Sequence, residues 1–120
     1  MDYSIKIGGE AGQGLQSIGL ILAKTFCRAG YHIFTVQDYE SRIRGGHSSF
    51  YLRFSDRPIE ASKTEITCLV CFDKQTLSLY QNNISSGGYI LYNSDVIKEA
   101  ISSQNAVPIP MDTMALQSGN

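Results

Sequence analysis

The segment R-I-R-G-G-H at residues 42–47 concentrates the side chains best suited to recognising an anion. Arginine presents a planar fork of donors that matches phosphate or carboxylate, and adjacent glycines let a ligand or a partner backbone approach closely. The alternative is a solvated loop whose arginines pair with Asp38, Glu40 or Asp56. The paired glycines favour an anion or another protein surface as the target. The residues predicted to make this contact are Arg42, Arg44, Gly45, Gly46 and His47.

A second candidate is the glycine-rich run G-G-E-A-G-Q-G at residues 8–14. It stands between a predicted strand and a predicted helix, where backbone N–H groups and the positive helix end could approach a phosphate or carboxylate. Its spacing is G-x-x-G-x-G, which is neither the dinucleotide fingerprint nor a Walker loop. Asp38, near the end of the second strand, keeps a nicotinamide or flavin nucleotide open. The other interpretation is a tight turn with close packing of helix on sheet.

Other reactive side chains favour structural roles. Cys68 and Cys71 form C-x-x-C inside a predicted strand, where an offset of three residues points the thiols to opposite faces. With Cys27 as the only other cysteine, the chain has no four-thiolate set for zinc or an iron–sulfur cluster, so core packing is predicted. His32 is interpreted as structural, and Asp73 as the cap of the next helix. No catalytic triad or carboxylate pair has a readable spacing, so no catalytic residue is predicted.

The order of predicted elements positions these candidates in an α/β fold. Alternation and apolar runs predict strands, and helical spacing with a glycine stop at Gly30 predicts a first helix over residues 15–29. The second strand should run parallel to the first. We predict a Rossmann-like sandwich with a mainly parallel sheet and helices on both faces, forming a single domain over residues 1–120. The predicted strands are 3–7, 31–36, 49–54, 67–72, 89–92 and 106–109, and the two later helices run from Asp73 to 79 and over 96–101.

Composition limits the classes of partner. The net charge of −1 and the isoelectric point near 6.0 lack the basic excess expected for nucleic acid or an anionic membrane. The apolar runs are too short to cross a bilayer, and the amino terminus lacks the basic region of a signal peptide. Three cysteines, an odd number, fit reduced thiols. The sequence is therefore interpreted as a cytoplasmic protein.

Three blocks of sequence together resemble a known family. They are G-G-E-A-G-Q-G-L-Q-S-I-G at 8–19, the run from A-G-Y-H to G-G-H-S-S-F at 29–50, and R-F-S-D-R-P-I at 53–59. In order and wording they resemble the gamma domain of the 2-oxoacid:ferredoxin oxidoreductases. The Q-D-Y-E-S-R-I-R-G-G-H wording is most similar to the 2-oxoglutarate-type enzymes, in which this domain is fused to the front of the alpha subunit.

The resemblance implies a role in an assembly. Such an assembly decarboxylates a 2-oxoacid on thiamin diphosphate, passes electrons through [4Fe-4S] clusters to ferredoxin, and transfers the acyl group to coenzyme A. The resemblance implies that thiamin diphosphate, Mg²⁺ and the clusters lie in partner domains of the alpha and beta subunits. It places Gly9, Gly12, Gln13 and Gly14 at the subunit interface or ligand edge. It places Arg42, Arg44 and His47 toward coenzyme A or a partner.

Three hypotheses follow. The favoured one is a non-catalytic gamma domain that is inactive alone, and the comparison with the family suggests a fragment or truncated product, because family members continue beyond the position of Asn120. A free-standing module that binds a nucleotide at residues 8–14 is the second. A structural remnant that exposes a sheet edge is the third.

Overall fold

The computed structural model describes residues 1–10, 14–39, 47–59, 65–98, 101 and 105–117. These residues form six strands and three helices, with a short 3-10 turn at Gln81–Asn83 before the fifth strand. Their bounds are β1 Asp2–Glu10, α1 Leu15–Arg28, β2 His32–Tyr39, β3 His47–Ser55, β4 Ile66–Cys71, α2 Lys74–Tyr80, β5 Ile84–Asn93, β6 Ala106–Ile109 and α3 Met111–Gln117.

All six strands form one sheet in the order β2-β3-β1-β4-β5-β6. The pairings β1–β4, β4–β5 and β5–β6 are parallel, whereas β3 is antiparallel to both of its neighbours. Strand β2 therefore runs in the direction of β1, as the sequence predicts, but β3 lies between them. The prediction of a mainly parallel α/β sheet is confirmed.

Helix α1 packs closely on one face of the sheet because it presents a glycine to it. A Cβ built on Gly19 would overlap the ring of Phe50, whose side chain is fully buried. One end of the helix is fixed by aromatic packing, with the rings of Phe26 and Phe54 stacked at 4.0 Å between centroids. The helix ends at Arg28, and the predicted stop, Gly30, follows its cap with a φ of 97° in the left-handed region.

Helix α2 covers the opposite face. Ile7 is the register partner of Phe50 on the α1 side, so the next residue, Gly8, points the other way. A Cβ on Gly8 would lie 2.5 Å from Cγ2 of Thr76 in α2. Helices therefore lie on both faces, as predicted. The buried cluster of the β4–β5 half consists of Ile66, Leu69, Cys71, Ile90 and Ile97.

The helix predicted over residues 96–101 is wrong for the residues that the structure describes there. The chain instead makes a turn at 94–96, because the Asn93 side-chain oxygen accepts from the N–H of Asp95 at 3.2 Å and favours a turn over a helix. The Asp95 carboxylate caps a different helix, accepting from the N–H of Thr113 in α3 at 2.8 Å. That hydrogen bond lowers the pKa of Asp95 below its usual value.

Two further sequence expectations on the fold, an edge position for the last strand and a cap at Asp73, are met by the described elements. The last strand, β6, lies at a sheet edge and contains Pro108, which cannot donate to a further strand. Asp73 is the N-cap of α2, and its carboxylate accepts from the N–H of Thr76 at 3.0 Å. None of the described helices combines the length and the apolar character needed to cross a membrane.

Candidate functional site

Both candidate segments lie next to strand residues at the same end of the sheet. Because β1 and β3 are antiparallel, the end of β1 lies beside the start of β3, and Glu10 is the register partner of His47. Asp38, near the end of β2, pairs with Ser49. The glycine-rich turn follows β1, and residues 40–46 join β2 to β3, so the topology brings the two segments together. This end of the sheet is the one at which the parallel strands have their carboxyl ends.

This end of the sheet contains a topological switch point. From β1 the chain passes through α1 to the β2 side of the sheet, whereas from β4 it passes through α2 toward β5. The two helices lie on opposite faces, so a crevice opens between the ends of β1 and β4. Ligands of open α/β sheets bind in crevices of this kind. Its walls are joined by a hydrogen bond from the N–H of Phe72 to the carbonyl of Gly8 at 3.0 Å.

The described part of the glycine-rich turn leaves the start of α1 open. Gly9 is a buried residue of β1, and Gly14 is the N-cap of α1 with φ 76°. Within the described part of the chain, no side chain caps this helix end, and a Cβ on Gly14 would meet nothing within 4 Å. Uncapped N–H groups at a helix start suit an anionic group. Gly12 and Gln13 lie outside the described residues.

Gln16, in the first turn of α1, has an unsatisfied amide. Both polar atoms of its side chain are buried, and neither has a hydrogen-bond partner among the residues that the structure describes. A buried amide without partners destabilises the fold, which makes it a notable feature beside an open helix start. The amide could form hydrogen bonds with a group supplied from outside the chain.

The arginine segment, residues 42–47, is described only at its last residue, His47. Arg42, Arg44, Gly45 and Gly46 lie outside the described residues. The chain on either side of residues 40–46 is fixed because Tyr39 and His47 belong to paired strands.

Of the acidic residues considered as partners for those arginines, Asp56 is far from the segment. It follows β3 at the opposite end of the sheet, and the length of β3, about 27 Å, separates that end from His47. There it accepts from the amino terminus of Met1 at 3.3 Å.

His47 is the one member of this segment that the structure describes, and its side chain is only 3% exposed. Its Nε2 lies 2.9 Å from Oγ1 of Thr76, which in turn donates to Oδ1 of Asp73 at 2.7 Å. Thr76 itself is fully buried. The imidazole is therefore held inside the fold by α2, and the sequence-predicted orientation of His47 toward a ligand or partner stays a prediction.

A small polar cavity adjoins the histidine. It has a volume of about 20 Å³ and is lined by Asp38, His47, Ser49 and Tyr80. That volume is enough for about one water molecule. On the same side, Nζ of Lys6 lies 3.8 Å from the centroid of the Tyr80 ring. Polar groups and the Lys6 ammonium thus lie together on the face of the sheet that α2 covers.

Sequence reasoning identified both segments and the cap at Asp73, but it missed Thr76 and Gln16. The position of Thr76, three residues after a capping aspartate, was a usable signal for a residue bonded to the cap. Nothing in the sequence placed it against His47, because that contact joins residues 29 positions apart. The burial of the Gln16 amide depends likewise on packing between distant elements.

The cysteines do not form a site. Cys71 is fully buried, and burial raises the pKa of its thiol to about 12; burial also raises the pKa of Cys68. These thiols are therefore protonated at neutral pH and pack in the sheet, as predicted. Among the described residues, no group of three or more His, Cys, Asp or Glu side chains could hold a metal ion. The described part of the chain does not fit an iron–sulfur cluster.

Alkylation should distinguish the three thiols. At pH 8, iodoacetamide is expected to add one group to the folded chain, at exposed Cys27, because Cys68 and Cys71 are shielded and protonated. Mass spectrometry of the intact chain and of its peptides measures this. In 6 M guanidinium all three should react, and Cys27→Ser should abolish the native adduct. A native adduct at Cys71 would contradict the assignment.

Comparison with known proteins gives consistent matches. A family model described as pyruvate ferredoxin/flavodoxin oxidoreductase matches residues 4–120. The chain is 34% identical over 96 residues to the 2-oxoacid:ferredoxin oxidoreductase subunit alpha of Sulfolobus sp, a match that covers 80% of this chain and 15% of that subunit. The chain thus spans a small part of that relative.

Two solved structures share the fold. One is the gamma subunit of a keto/oxoacid ferredoxin oxidoreductase from Geobacter sulfurreducens, with a TM-score of 0.75, 27% identity, and coverage of 90% of this chain and 59% of that one. The other is 2-oxoglutarate:ferredoxin oxidoreductase from Magnetococcus marinus, solved with 2-oxoglutarate, coenzyme A and succinyl-CoA bound. Its TM-score is 0.86 at 24% identity, over 97% of this chain and 21% of that one.

Proposed function

The chain belongs to the pyruvate ferredoxin/flavodoxin oxidoreductase family, and from this premise we propose that it is a gamma domain of a 2-oxoacid:ferredoxin oxidoreductase. The assembly oxidatively decarboxylates a 2-oxoacid and forms an acyl-CoA in the cytoplasm. In this proposal the domain carries no catalytic residue and is inactive alone. It contributes to a subunit interface and to the coenzyme A site. The observation that carries the proposal is that the glycine-rich turn and the arginine segment adjoin strand residues at one end of the sheet.

The chemistry of coenzyme A fits this end of the sheet. Its pyrophosphate and 3′-phosphate are anions, which arginine forks and an uncapped helix start both bind. Arg42 and Arg44 would hold the phosphates, while the open start of α1 at Gly14 would donate from its backbone. The domain thereby orients the cofactor and leaves bond making to other parts of the assembly.

The partners proposed for this domain supply the redox chemistry. Thiamin diphosphate with Mg²⁺, when bound in the alpha and beta subunits or domains, supplies the electron sink for decarboxylation, and [4Fe-4S] clusters carry electrons to ferredoxin. The described residues of this chain offer no metal ligand set, so their proposed work is binding and positioning.

The outer surface of α1 supports an interface. Three large apolar side chains within four consecutive positions are exposed there: Ile18 at 39%, Leu20 at 47% and Ile21 at 64%. An apolar cluster on one helix is typical of a protein–protein contact. It begins one turn after the open helix start at Gly14, so a partner seated on it would also reach the candidate site.

The second hypothesis, a free-standing nucleotide-binding module, has less support. In dinucleotide-binding domains the acidic residue ends the strand next to the glycine turn. Here β3 separates β1 from β2, so Asp38 lies two strand spacings, about 10 Å, from β1. Purified protein that carries a nicotinamide or flavin nucleotide and captures no partner would favour this hypothesis.

The proposal is tested in the assembled enzyme. A tagged chain is used to purify its complex from the native host, and anaerobic 2-oxoacid-dependent dye reduction is measured against coenzyme A concentration. Arg42→Ala with Arg44→Ala is expected to raise the KM for coenzyme A about 100-fold or more, since each of the two charge-assisted hydrogen bonds contributes about 1.5–3 kcal/mol.

The matched control is Arg28→Ala with Arg57→Ala. It removes the same charge from two exposed positions, one at the end of α1 and one beyond β3. Both positions are at the opposite end of the sheet. It should leave the KM unchanged. A purified chain without partner subunits, thiamin or iron would overturn the assembly proposal. An unchanged KM in the Arg42/Arg44 variant would overturn the role of the arginines.

A further inference from the structure

We propose that β2 is an edge through which two copies of this chain pair antiparallel, forming one continuous sheet across a two-fold axis. The inference goes beyond the proposed function and does not depend on it. Strand β2, His32–Tyr39, stands first in the order of the sheet, and among the described residues it pairs with β3 alone. Its other side presents a row of backbone N–H and C=O groups that a further strand can bind.

The two edges of the sheet differ in how they are protected against such pairing. At the far edge, β6 has only four residues and contains Pro108. A short strand and a proline both protect a sheet edge. Strand β2 has eight residues, H-I-F-T-V-Q-D-Y, with neither proline nor lysine. It therefore lacks these devices and is the edge at which a second chain can add a strand.

The sequence of β2 is complementary to itself when Thr35 lies opposite Thr35 of the second copy. In that register His32 lies opposite Asp38, and Phe34 lies opposite Val36. Because the two-fold axis repeats every contact, each of these two pairs forms twice. Threonine pairs, aromatic–β-branched pairs and opposite-charge pairs all stabilise adjacent antiparallel strands. His32 can also donate to the Asp38 carboxylate when its imidazole is neutral. Charge and shape therefore select a second copy of this chain as the partner.

The paired side chains share one face of the sheet and are accessible there. Asp38 lies on the face that α2 covers, because its partner in β3 is also the register partner of Gly8. Alternate residues of a strand share a face, so His32, Phe34 and Val36 point the same way. His32 and Asp38 are exposed, Val36 is 39% exposed, and Phe34 is half-buried. Moving the axis by one residue, to Val36, would set Phe34 against Asp38, so the proposed register is favoured.

The main elements of two copies fit side by side in this arrangement. Helix α1 packs mostly on β3, the strand next to β2. Three strand spacings then separate the two copies of β3, which is about 14 Å. Close-packed helices lie about 8–10 Å apart, so the two α1 helices would not collide. The strands can therefore pair along their length and form one sheet with six strands from each copy.

Sedimentation equilibrium of the purified chain tests the proposal, with a monomer of 13.2 kDa expected to form a reversible dimer. Val36→Lys is expected to raise the dissociation constant about tenfold or more, because it sets an ammonium against Phe34 of the second copy on both sides of the axis. The matched control is Val107→Lys, which changes a valine of similar exposure, 42%, in the edge strand β6. It should leave the constant unchanged. A chain that stays monomeric up to about 1 mM, or a dimer that Val36→Lys weakens no more than Val107→Lys does, would overturn the proposal.

A second measurement tests the register and does not depend on a lysine variant that folds. In a Cys27→Ser background, which removes an exposed thiol, Thr35→Cys places two new thiols directly opposite each other. Opposed Cα atoms in antiparallel strands lie about 4.5 or 5.5 Å apart, within the reach of a disulfide. Mild oxidation should therefore give a covalent dimer on a non-reducing gel. Gln37→Cys is the control, because its two thiols would lie about 14 Å apart along the strands. Equal cross-linking of both variants, or none with Thr35→Cys, would overturn the proposed pairing.

Discussion

Gly19→Ala is expected to lower the free energy of unfolding by about 2–3 kcal/mol, although alanine is the best helix former. On propensity alone the change would stabilise α1 by about 1 kcal/mol, because glycine in a helix interior is unfavourable. The new Cβ, however, would overlap the Phe50 ring, which is fully buried between the helix and the sheet. Close-packed interiors relax only partly, so the steric cost exceeds the gain in propensity.

Urea denaturation followed by circular dichroism measures this difference. Ser17→Ala is the matched control, since Ser17 is exposed on the same helix and gains propensity without a clash. It should be neutral or stabilising by up to about 0.5 kcal/mol. Equal stabilisation by both substitutions would mean that α1 does not approach the sheet as closely as the structure indicates.

The elements of the fold were predictable where local chemistry determines them. The cap at Asp73, the stop at Gly30 and the strand pattern of residues 49–54 are local signals, and the structure has the cap, the glycine stop and the strand. The predicted helix at 96–101 failed because it read Ser94-Asp95 as a cap. The Asp95 carboxylate binds Thr113 instead, at 2.8 Å. A capping residue identifies a helix start, but only the tertiary structure determines which helix it caps.

The candidate site was predictable in composition but not in arrangement. Glycine and arginine patterns identified both segments, whereas their convergence depends on β3 pairing beside β1, an antiparallel insertion in a parallel order. Long-range pairing of this kind has no signature in the local sequence. The hydrogen bond between Thr76 and His47 was missed for the same reason, since the two residues are distant in the chain and meet only after α2 packs on β1.

Gly8→Ala tests the close contact between β1 and α2 and is expected to cost about 3 kcal/mol of unfolding free energy. Its Cβ would lie 2.5 Å from Cγ2 and 2.6 Å from Oγ1 of Thr76. Neither atom can move away, because Thr76 is fully buried and bonded to Asp73. The clash therefore displaces α2 from the end of β1 and breaks the bond to His47.

A double-mutant cycle isolates this contact. Thr76→Ala alone should cost about 2 kcal/mol, because it leaves the buried His47 donor without its acceptor. It also removes both atoms that clash most closely with the new Cβ. The double variant should therefore be more stable than the sum of the single losses predicts, by about 1–2 kcal/mol. Strict additivity, measured by urea denaturation, would show that Gly8 and Thr76 do not touch.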